Sequence, residues 1–547
     1  MKLTHAPALR IVLAISLAAT LPAQTTISPE KQAAMKADLA GQIEGMKKQA
    51  QVMVDSVFSF AELGFQEVET SKYLTGLLEK EGFKIQRGVS GIPTAWVASW
   101  GEGKPVISLG SDIDDIPQAS QKPGVAYHEA MIEGAPGHGE GHNSGLPLNI
   151  LAAIAVKQTM EREHLKGTIR LWPGVAEELV GTKAYYVRDG MFKDVDVVLF
   201  THVGNNLQVS SGPTTQNGLI SVEYMFKGES AHAAGAPWRG KSALDAVELM
   251  DVGWNFRREH LRLATRVHNV ITNGGDQPNV VPPNAAVWYY FREADYEHIM
   301  NLWKIGDNMA QAATLMTDTT YTSRVLGSAW PGHFNVPIAE AMYENIKKVG
   351  LPQWSDDDQK LAKALQTELK VPVRGLASKI PELRKPKATE GDPEAEGGQQ
   401  QQPTGGGSDD IGDVSWVVPT VTLNYPSNIP GGPGHNWANA ISMATPIAHK
   451  GVVAGAKVQA MTMLDILLKP ELVTKAWDYY NNVQTKTVKY KSLLRPDDKP
   501  AIWLNQKTME QYRPKMKEMY YDPTKYDNYL EQLGIKYPTV REPSVKP

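Results

Sequence analysis

Short apolar runs alternate with amphipathic helical segments through the first part of the chain. Apolar runs that end in polar residues predict buried strands at 104–114, 167–178 and 194–204. Helical periodicity of the apolar residues predicts helices within 31–81 and at 146–160. Strands that alternate with helices form parallel sheets covered on both faces. The pattern therefore predicts an α/β fold with a mixed, largely parallel sheet and helices on both faces.

The rhythm changes near residue 216, where the predicted order becomes strand, helix, strand, strand, helix, strand. These segments are 218–226, 241–261, 266–272, 285–292, 297–316 and 319–326. The order βαββαβ is that of the ferredoxin-like unit. We therefore predict an inserted ferredoxin-like lid and dimerisation domain at 216–330. It divides the catalytic domain into 24–215 and 331–468.

Two later segments differ from the rest in composition. Residues 385–407, KPKATEGDPEAEGGQQQQPTGGG, are of low complexity and predict a surface loop or linker without a core of its own. A buried strand is predicted again at 415–426. Residues 469–547 are rich in Tyr, Lys and Pro, and we predict that they form a C-terminal extension packed over the main domain.

The N-terminus has the pattern of a secretory signal peptide at residues 1–23. Lys2 and Arg10 precede a short apolar run at 11–21. Small residues then lead to a cleavage site after Ala23. The run is shorter than the about 20 apolar residues of a stable membrane span, although an uncleaved anchor remains the alternative. We predict a periplasmic or secreted protein. The absence of cysteine suits an oxidising compartment and excludes thiol catalysis and thiolate metal ligands.

The charge balance restricts the class of partner. A formal net charge of -4 gives no basic footprint for nucleic acid and no polybasic membrane anchor. No segment after the signal peptide predicts a stable membrane span. The expected partner is therefore a small molecule.

Carboxylates and histidines gather at the predicted strand ends and in the glycine-rich stretch GHGEGHNSG. They are Asp112, Asp114, Glu140, His142, Glu177, Glu178, His202 and His435. Such donors suit manganese, zinc or cobalt. A pair of metals needs a bridging group, and a carboxylate with its two oxygens is suited to that task, so Glu140 is the bridging candidate. Adjacent glutamates on an extended strand would point to opposite sides, one toward metal and one toward water.

Seven motifs together resemble those of a known family. SDIDDIP, GHGEGHN, AEE, HVG, GESAHAAGAPWRGKSALDA, GGDQPNVVP and GHNW occur in the order seen in the aminoacylase–dipeptidase superfamily of two-metal amidohydrolases. Within it, the sequence is most similar to the aminobenzoyl-glutamate hydrolases, whose late motif resembles SDDIGDVSWVVPT at 408–420. The resemblance extends over about residues 52–468 and implies two divalent metal ions, manganese or zinc.

The resemblance also implies roles for individual residues. The implied metal ligands are Glu140, His142, Glu178, His202 and His435. Glu177 matches the general base, His232 the group that polarises the scissile carbonyl, and Asp114 an acid that orients a ligand. Asn279 and Arg292 match substrate-binding positions, and the planar guanidinium suits a substrate carboxylate. Asp112 and Asp410 are weaker candidates.

Glu140 departs from the family pattern, which usually has cysteine at this position. We interpret the change as a replacement, because glutamate keeps a negative bridging donor and shifts the preference toward harder metals such as manganese.

The predicted activity is hydrolysis of the amide bond in small N-acyl or N-aroyl amino acids, aminobenzoyl-glutamate-like, or in dipeptides. A non-catalytic binding protein that keeps the hydrolase fold is the alternative. A two-metal phosphoesterase would have more basic residues near its cleft. A homodimer through the lid domain is expected, and a hetero-subunit partner is the other arrangement.

Overall fold

The computed structural model describes residues 27–384 and 407–541. The predicted signal peptide (1–23) and all but the last residue of the low-complexity segment lie outside these residues. The helices before the lid are α1 (Pro29–Gly45), α2 (Lys47–Phe60), α3 (Val68–Lys80), α4 (Gly145–Glu163) and α5 (Lys183–Arg188). The strands are β1 (Lys84–Arg87), β2 (Trp96–Glu102), β3 (Val106–Asp112), β4 (Gly167–Gly174), β5 (Val197–Gly204), β6 (Gln208–Val209) and β7 (Gly212–Pro213).

The lid begins directly after these strands and has the predicted order of elements. They are β8 (Gly218–Lys227), α6 (Ala243–Arg257), β9 (Arg266–Asn273), β10 (Asn284–Glu293), α7 (Tyr296–Thr317) and β11 (Thr320–Ala329). The four strands form an antiparallel sheet in the order β11-β8-β10-β9. Both helices pack on this sheet over a core that includes Tyr224, Trp254 and Phe291. The predicted βαββαβ unit is confirmed.

The chain then returns to the first body. These elements are β12 (His333–Phe334), α8 (Val336–Val349), α9 (Asp356–Glu368), α10 (Ile411–Ser415), β13 (Thr420–Pro426), α11 (Trp437–Ala440) and α12 (Pro446–Leu468). The last helices are α13 (Pro470–Tyr479), α14 (Gln506–Lys517) and α15 (Tyr529–Gln532). Strand β13 begins five residues later than predicted, because helix α10 extends to Ser415 and residues 416–418 form the turn that follows it.

The main sheet has seven strands in the order β1-β2-β4-β3-β5-β13-β6. Its four central strands, β4, β3, β5 and β13, run parallel, and the outer pairings are antiparallel. All residues of β3 are buried, which shows that both faces of the sheet centre are covered. The predicted mixed α/β sheet with helices is confirmed. Because the carboxyl ends of parallel strands meet at one edge, residues that follow β3, β4 and β13 are brought together there.

Helix α12 packs against α4 and β13 in the core. By length and composition it is the one helix among residues 27–384 and 407–541 that could cross a membrane. However, 89% of its most apolar stretch is buried inside the protein. This burial is that of a core helix.

The residues after α12 contact the main body. Arg513 on α14 donates to Glu62 Oε1 at 2.9 Å and to the carbonyl of Gln66 at 2.6 Å. The backbone N–H of Tyr529 donates to Asp55 on α2. These contacts support the loop between α2 and α3, which lies next to the strand ends.

Candidate metal centre

Two histidines at the edge of the sheet each leave the ring nitrogen Nε2 available. His142 donates from Nδ1 to the carbonyl of Asp114 at 3.1 Å, and His202 donates from Nδ1 to the carbonyl of Val203 at 2.9 Å. A ring that donates from Nδ1 keeps a lone pair on Nε2, which is the form that binds metal. The Nε2 of His142 is buried and has no hydrogen-bond partner among the described residues. Both rings are therefore set to act as ligands.

Glu140 lies between histidines from different elements. Its Oε1 is 3.5 Å from His202 Nε2, and its Oε2 is 2.9 Å from His435 Nε2. His435 Nε2 is also 3.1 Å from Glu178 Oε2. The two oxygens of Glu140 thus face two separate groups of donors, which is the arrangement required of a bridging carboxylate.

The predicted ligands, together with Asp112, form two separate groups, in each of which the donor atoms lie within 4.8 Å of one another. One group contains Glu140, Glu178 and His435, and the other contains Asp112, His142 and His202. A further set joins His142 and Glu178 to Glu177. We call Asp112, Glu140, His142, Glu178, His202 and His435 the donor cluster, and Glu177 lies beside it. The structure brings all five predicted ligands together.

Unpartnered atoms show that the donor cluster fits a divalent cation. Oδ2 of Asp112 and Oε1 of Glu178 are buried without a hydrogen-bond partner among the described residues. Burial, followed by the charge of Glu140, raises the pKa of Glu178 well above its ordinary value. Buried carboxylates without a partner are costly unless a metal or a proton neutralises them. Oxygen and imidazole donors of this kind suit manganese and zinc.

Glu177 lies in a tighter turn than the sequence predicts. Glu177–Leu179 forms a single 3₁₀ turn after β4 instead of an extended strand end. Successive side chains of a 3₁₀ turn diverge by about 120°, because it has about three residues per turn, so the expectation of opposite directions was wrong. Burial and then the charges of Asp112 and Asp409 raise the pKa of Glu177 well above its ordinary value. The division of labour between the two glutamates stays a prediction.

Asp114 supports two members of the donor cluster. Its Oδ2 accepts from the backbone N–H of Glu178 at 3.1 Å, and its carbonyl accepts from His142. Its Oδ1 is 3.6 Å from His142 Nδ1. Asp114 therefore contacts two predicted ligands, and the orienting role that the family resemblance implies stays a prediction.

The lid residues lie in different surroundings. His232 is exposed, and its Nδ1 accepts from the backbone N–H groups of Ala234 and Gly235 at 3.2 and 3.1 Å. The ring proton is therefore on Nε2, which can donate a hydrogen bond. Asn279 is exposed beside it, and its carbonyl accepts from Ala233 N–H at 3.0 Å. Neither contributes to the donor cluster within one chain.

Arg292 reaches from the lid toward the catalytic body. It lies near the end of β10, and its Nη1 donates to Ser408 Oγ at 2.9 Å. Its Nε donates to His268 Nε2 at 3.0 Å, and its guanidinium lies over the ring of Tyr290 at 5.3 Å. The hydroxyl of Tyr290 lies 3.5 Å from the carbonyl oxygen of Glu178. Arg292 therefore lies at the boundary between the two bodies.

Comparison with known proteins identifies the family. Residues 214–313 match the peptidase dimerisation domain M20_dimer. The chain is 34% identical over 453 residues to a p-aminobenzoyl-glutamate hydrolase of Escherichia coli (strain K12), over 81% of this chain and 94% of that relative. The chain belongs to the M20 peptidase family. The predicted resemblance is confirmed, and this M20 protein is a hydrolase of amide bonds rather than a non-catalytic binder.

More distant relatives agree with this assignment. The M20 protein is 26% identical over 463 residues to Xaa-Arg dipeptidase of Mus musculus, over 79% of this chain and 92% of that relative. Two solved structures share its fold. They are an aminohydrolase from methicillin-resistant Staphylococcus aureus (TM-score 0.53, 15% identity, 79% of this chain and 100% of that chain) and the aminobenzoyl-glutamate utilization protein from Klebsiella pneumoniae (TM-score 0.50, 16% identity, 80% and 98%).

Lys183 was missed by the sequence analysis of this M20 hydrolase. Its ammonium is fully buried, lies 2.6 Å from Asp112 Oδ1 and also bonds Asp410 Oδ1, with Asp409 3.9 Å away. Burial would lower its pKa, but Asp112 and Asp410 outweigh that effect and hold the pKa well above its ordinary value. The weaker candidate Asp410 is thus bound to a lysine. The sequence shows only a lysine five residues after AEE, which is indistinguishable from a surface residue.

Proposed function

We propose that the M20 protein hydrolyses small N-acyl or N-aroyl amino acids, or dipeptides, with the aid of two manganese or zinc ions. The observation that carries the proposal is Glu140, whose oxygens face histidines of two donor groups. Ligands would come from the groups Asp112, His142, His202 and Glu140, Glu178, His435. When bound, such ions lower the pKa of water and polarise a carbonyl.

The chain's own residues supply the proton transfers and the positioning. Glu177 takes a proton from the attacking water and returns it to the leaving amine. His232 donates from Nε2 to the oxyanion of the tetrahedral intermediate. Arg292 holds the free carboxylate of the substrate by a planar pair of N–H groups, and Asn279 holds the amide. The relative named for aminobenzoyl-glutamate supports an aroyl amino acid as the first substrate to test.

The test is a panel of p-aminobenzoyl-glutamate, N-acyl amino acids and dipeptides with the metal-restored full chain. Manganese and zinc are supplied separately, and Glu177→Gln is the control for contaminating hydrolases. We expect hydrolysis of at least one member, abolished by chelation and absent in the control. No turnover of any member with about two metals bound per chain would reject the proposed substrates.

We further propose that two copies of the chain associate through the lid. Strand β9 is an unpaired edge of the lid sheet, and exposed edges favour pairing with another chain. Phe256 and Leu263 precede β9 in the chain, and they are 79% and 82% exposed. The match to a dimerisation domain supports association. Light scattering of the purified chain should give the mass of a dimer; a monomer would favour a different partner protein.

The proposed location is the periplasm or the exterior, on the basis of the signal-like residues 1–23. Mass spectrometry of the protein from its native compartment checks this location. A mature N-terminus at Gln24 in the exported fraction supports it, and an intact Met1 in the cytoplasmic fraction contradicts it.

A further inference from the structure

Glu67 is a fully buried carboxylate in the loop between α2 and α3, outside the donor cluster. Its Oε1 accepts two backbone N–H groups, from Phe65 at 3.0 Å and from Ala176 at 2.8 Å. Its Oε2 accepts the hydroxyl of Thr94 at 2.9 Å. Ala176 is the residue directly before Glu177 and Glu178. One side chain therefore connects this loop to the turn that carries the two glutamates.

Both backbone donors have left-handed conformations. The φ angles are 68° at Phe65 and 51° at Ala176, and Val180 at the far end of the turn has a φ of 46°. Residues with a Cβ atom rarely adopt this region, and they persist there only where surrounding contacts enforce it. The bond from Glu67 is one such contact. A residue 109 positions earlier in the chain thus accepts a hydrogen bond from the residue at the start of the turn.

The same loop packs against the turn without a gap. A Cβ atom on Gly64 would lie 2.9 Å from Cα of Ala176 and 3.2 Å from Oδ2 of Asp114. The carbonyl of Glu62 accepts from Asp115 N–H at 2.9 Å. The loop at 62–67 therefore forms the support on which the turn and the Asp114 strand end rest.

We propose that Glu67 is a positioning residue that fixes Ala176, so that Glu177 and Glu178 face the metal centre. The proposal rests on the proposed function of those two glutamates. Residues that orient ligands and bases from behind commonly contribute about 10- to 100-fold to activity or metal affinity. Such positioning is effective because small displacements of a base reduce the rate strongly.

Glu62 is a matched control in the same loop. It is 1% exposed, and its oxygens accept the backbone N–H groups of Glu69 and Thr70 at 3.1 and 2.9 Å. It also binds Arg513. Its side chain caps the start of α3 and has no hydrogen bond to the turn at 176–180 among the described contacts. Glu62→Ala therefore tests whether a general loss of structure lowers activity when the contact between Glu67 and the turn is kept.

Three substitutions at Glu67 test separately whether the length of the side chain or its charge holds the turn. Glu67→Gln keeps an oxygen that accepts both N–H groups, while its amide donates to Thr94, whose hydroxyl turns to accept. Glu67→Asp keeps the charge but is one methylene too short to reach Ala176. Glu67→Ala removes all three bonds. We compare these variants with Glu62→Ala in the full metal-restored chain, by kcat, KM, thermal unfolding and hydrogen exchange of the peptide at 170–185.

Glu67→Asp and Glu67→Ala should lower kcat about 10- to 100-fold, with KM altered less than about threefold, and should speed exchange of the turn amides. Glu67→Gln should keep kcat within about threefold of the parent. Glu62→Ala should lower the unfolding temperature with kcat nearly unchanged. If Glu67→Ala does not fold, Glu67→Asp decides.

Unaltered kcat and exchange in Glu67→Asp would overturn the positioning role. An equal loss of kcat in Glu62→Ala and Glu67→Asp would also overturn it, because general loosening would then explain both. If the parent hydrolyses none of the panel, the proposed function fails. Exchange at 170–185 still decides whether Glu67 holds the turn, because that measurement does not need activity.

Discussion

The catalytic-body side and the lid side of the candidate site differ in burial and in whether their groups accept or donate hydrogen bonds. In the catalytic body, Glu177 as a whole residue and the side chain of Glu178 are each 7% exposed, and both lie among other carboxylates. In the lid, His232 and Asn279 are exposed and bond to their own loop. One side has an excess of acceptors, and the other offers hydrogen-bond donors.

This difference separates two tasks. The donor cluster is assembled within the catalytic body, and its surplus of buried carboxylates is balanced by cations, of which Lys183 is one. Arg292 already lies at the boundary of the two bodies, whereas His232 and Asn279 would approach a substrate by closure of the lid or by contact with a second chain. Variants of the donor cluster should therefore alter metal content, whereas lid variants should alter turnover or substrate binding alone.

The largest effect is expected from Glu140→Ala. Removal of the bridging carboxylate should lower the metal content from about two ions to about one per chain and reduce activity to background. Glu140→Cys is the matched variant, because a thiolate can also bridge and should favour zinc over manganese. Elemental analysis and hydrolysis rates check both. An alanine variant with full metal content would contradict the bridging assignment.

Glu177→Gln should be almost as damaging but by a different route. The amide cannot accept the proton of water, so kcat should fall about 10²- to 10⁴-fold. Metal content should remain unchanged, which distinguishes this variant from Glu140→Ala. Steady-state kinetics with parallel metal analysis is the measurement. A small loss of kcat would show that another group serves as the base.

His232→Ala should lower kcat about 10²- to 10³-fold, since it removes the donor to the oxyanion. The donor cluster does not include this ring, so metal content and unfolding temperature should match the parent. In a dimer of His232→Ala with inactive Glu177→Gln chains, recovered activity would show that the histidine acts across the interface. A variant of His232 that lost metal would refute the separation of the two sides.

Arg292→Lys should act mainly on substrate binding. Lysine keeps the charge but loses the planar pair of donors, and one charge-assisted hydrogen bond is worth about 1.5–3 kcal/mol, or about 10- to 100-fold in KM. The control is a substrate whose carboxylate is amidated. Its KM should be high for the parent and nearly the same for the variant. Equal discrimination by both proteins would place the carboxylate elsewhere.

The smallest expected effect is on stability. Chelation of the parent should lower the unfolding temperature by several degrees, since ligands that bind only the native state stabilise it by about 2.7 kcal/mol at 100 times their Kd. The same treatment should lower the unfolding temperature less in Glu140→Ala, which has only about one ion left to lose. Calorimetry with and without chelator provides the comparison. A parent that is unaffected by chelation would mean that the donor cluster does not hold metal tightly.

The sequence predicted much of the fold because its periodicities are local. Alternating strands and helices indicated the mixed sheet, and the order of six segments indicated the lid. The predicted ligands Glu140, His142, Glu178, His202 and His435 could be named because each belongs to a short motif that resembles the family's. Their closeness follows from the parallel strands, whose ends meet at one edge.

The contacts that hold the site could not be predicted in the same way. Lys183 bonds Asp410 across 227 residues, and Glu67 bonds Ala176 across 109. The sequence does not show that a given lysine or glutamate is buried against a partner far away in the chain. The 3₁₀ turn at Glu177–Leu179 was also missed, because nothing in the local pattern AEELVG shows that Ala176 and Val180 are left-handed and that Ala176 bonds the distant Glu67.

The bond between Arg513 and Glu62 has a consequence for how the molecule is made. The two residues are separated by 451 positions. A growing chain therefore acquires the loop that carries Glu67 long before it acquires Arg513, which bonds that loop. A chain truncated before Arg513 should leave the ribosome without this contact.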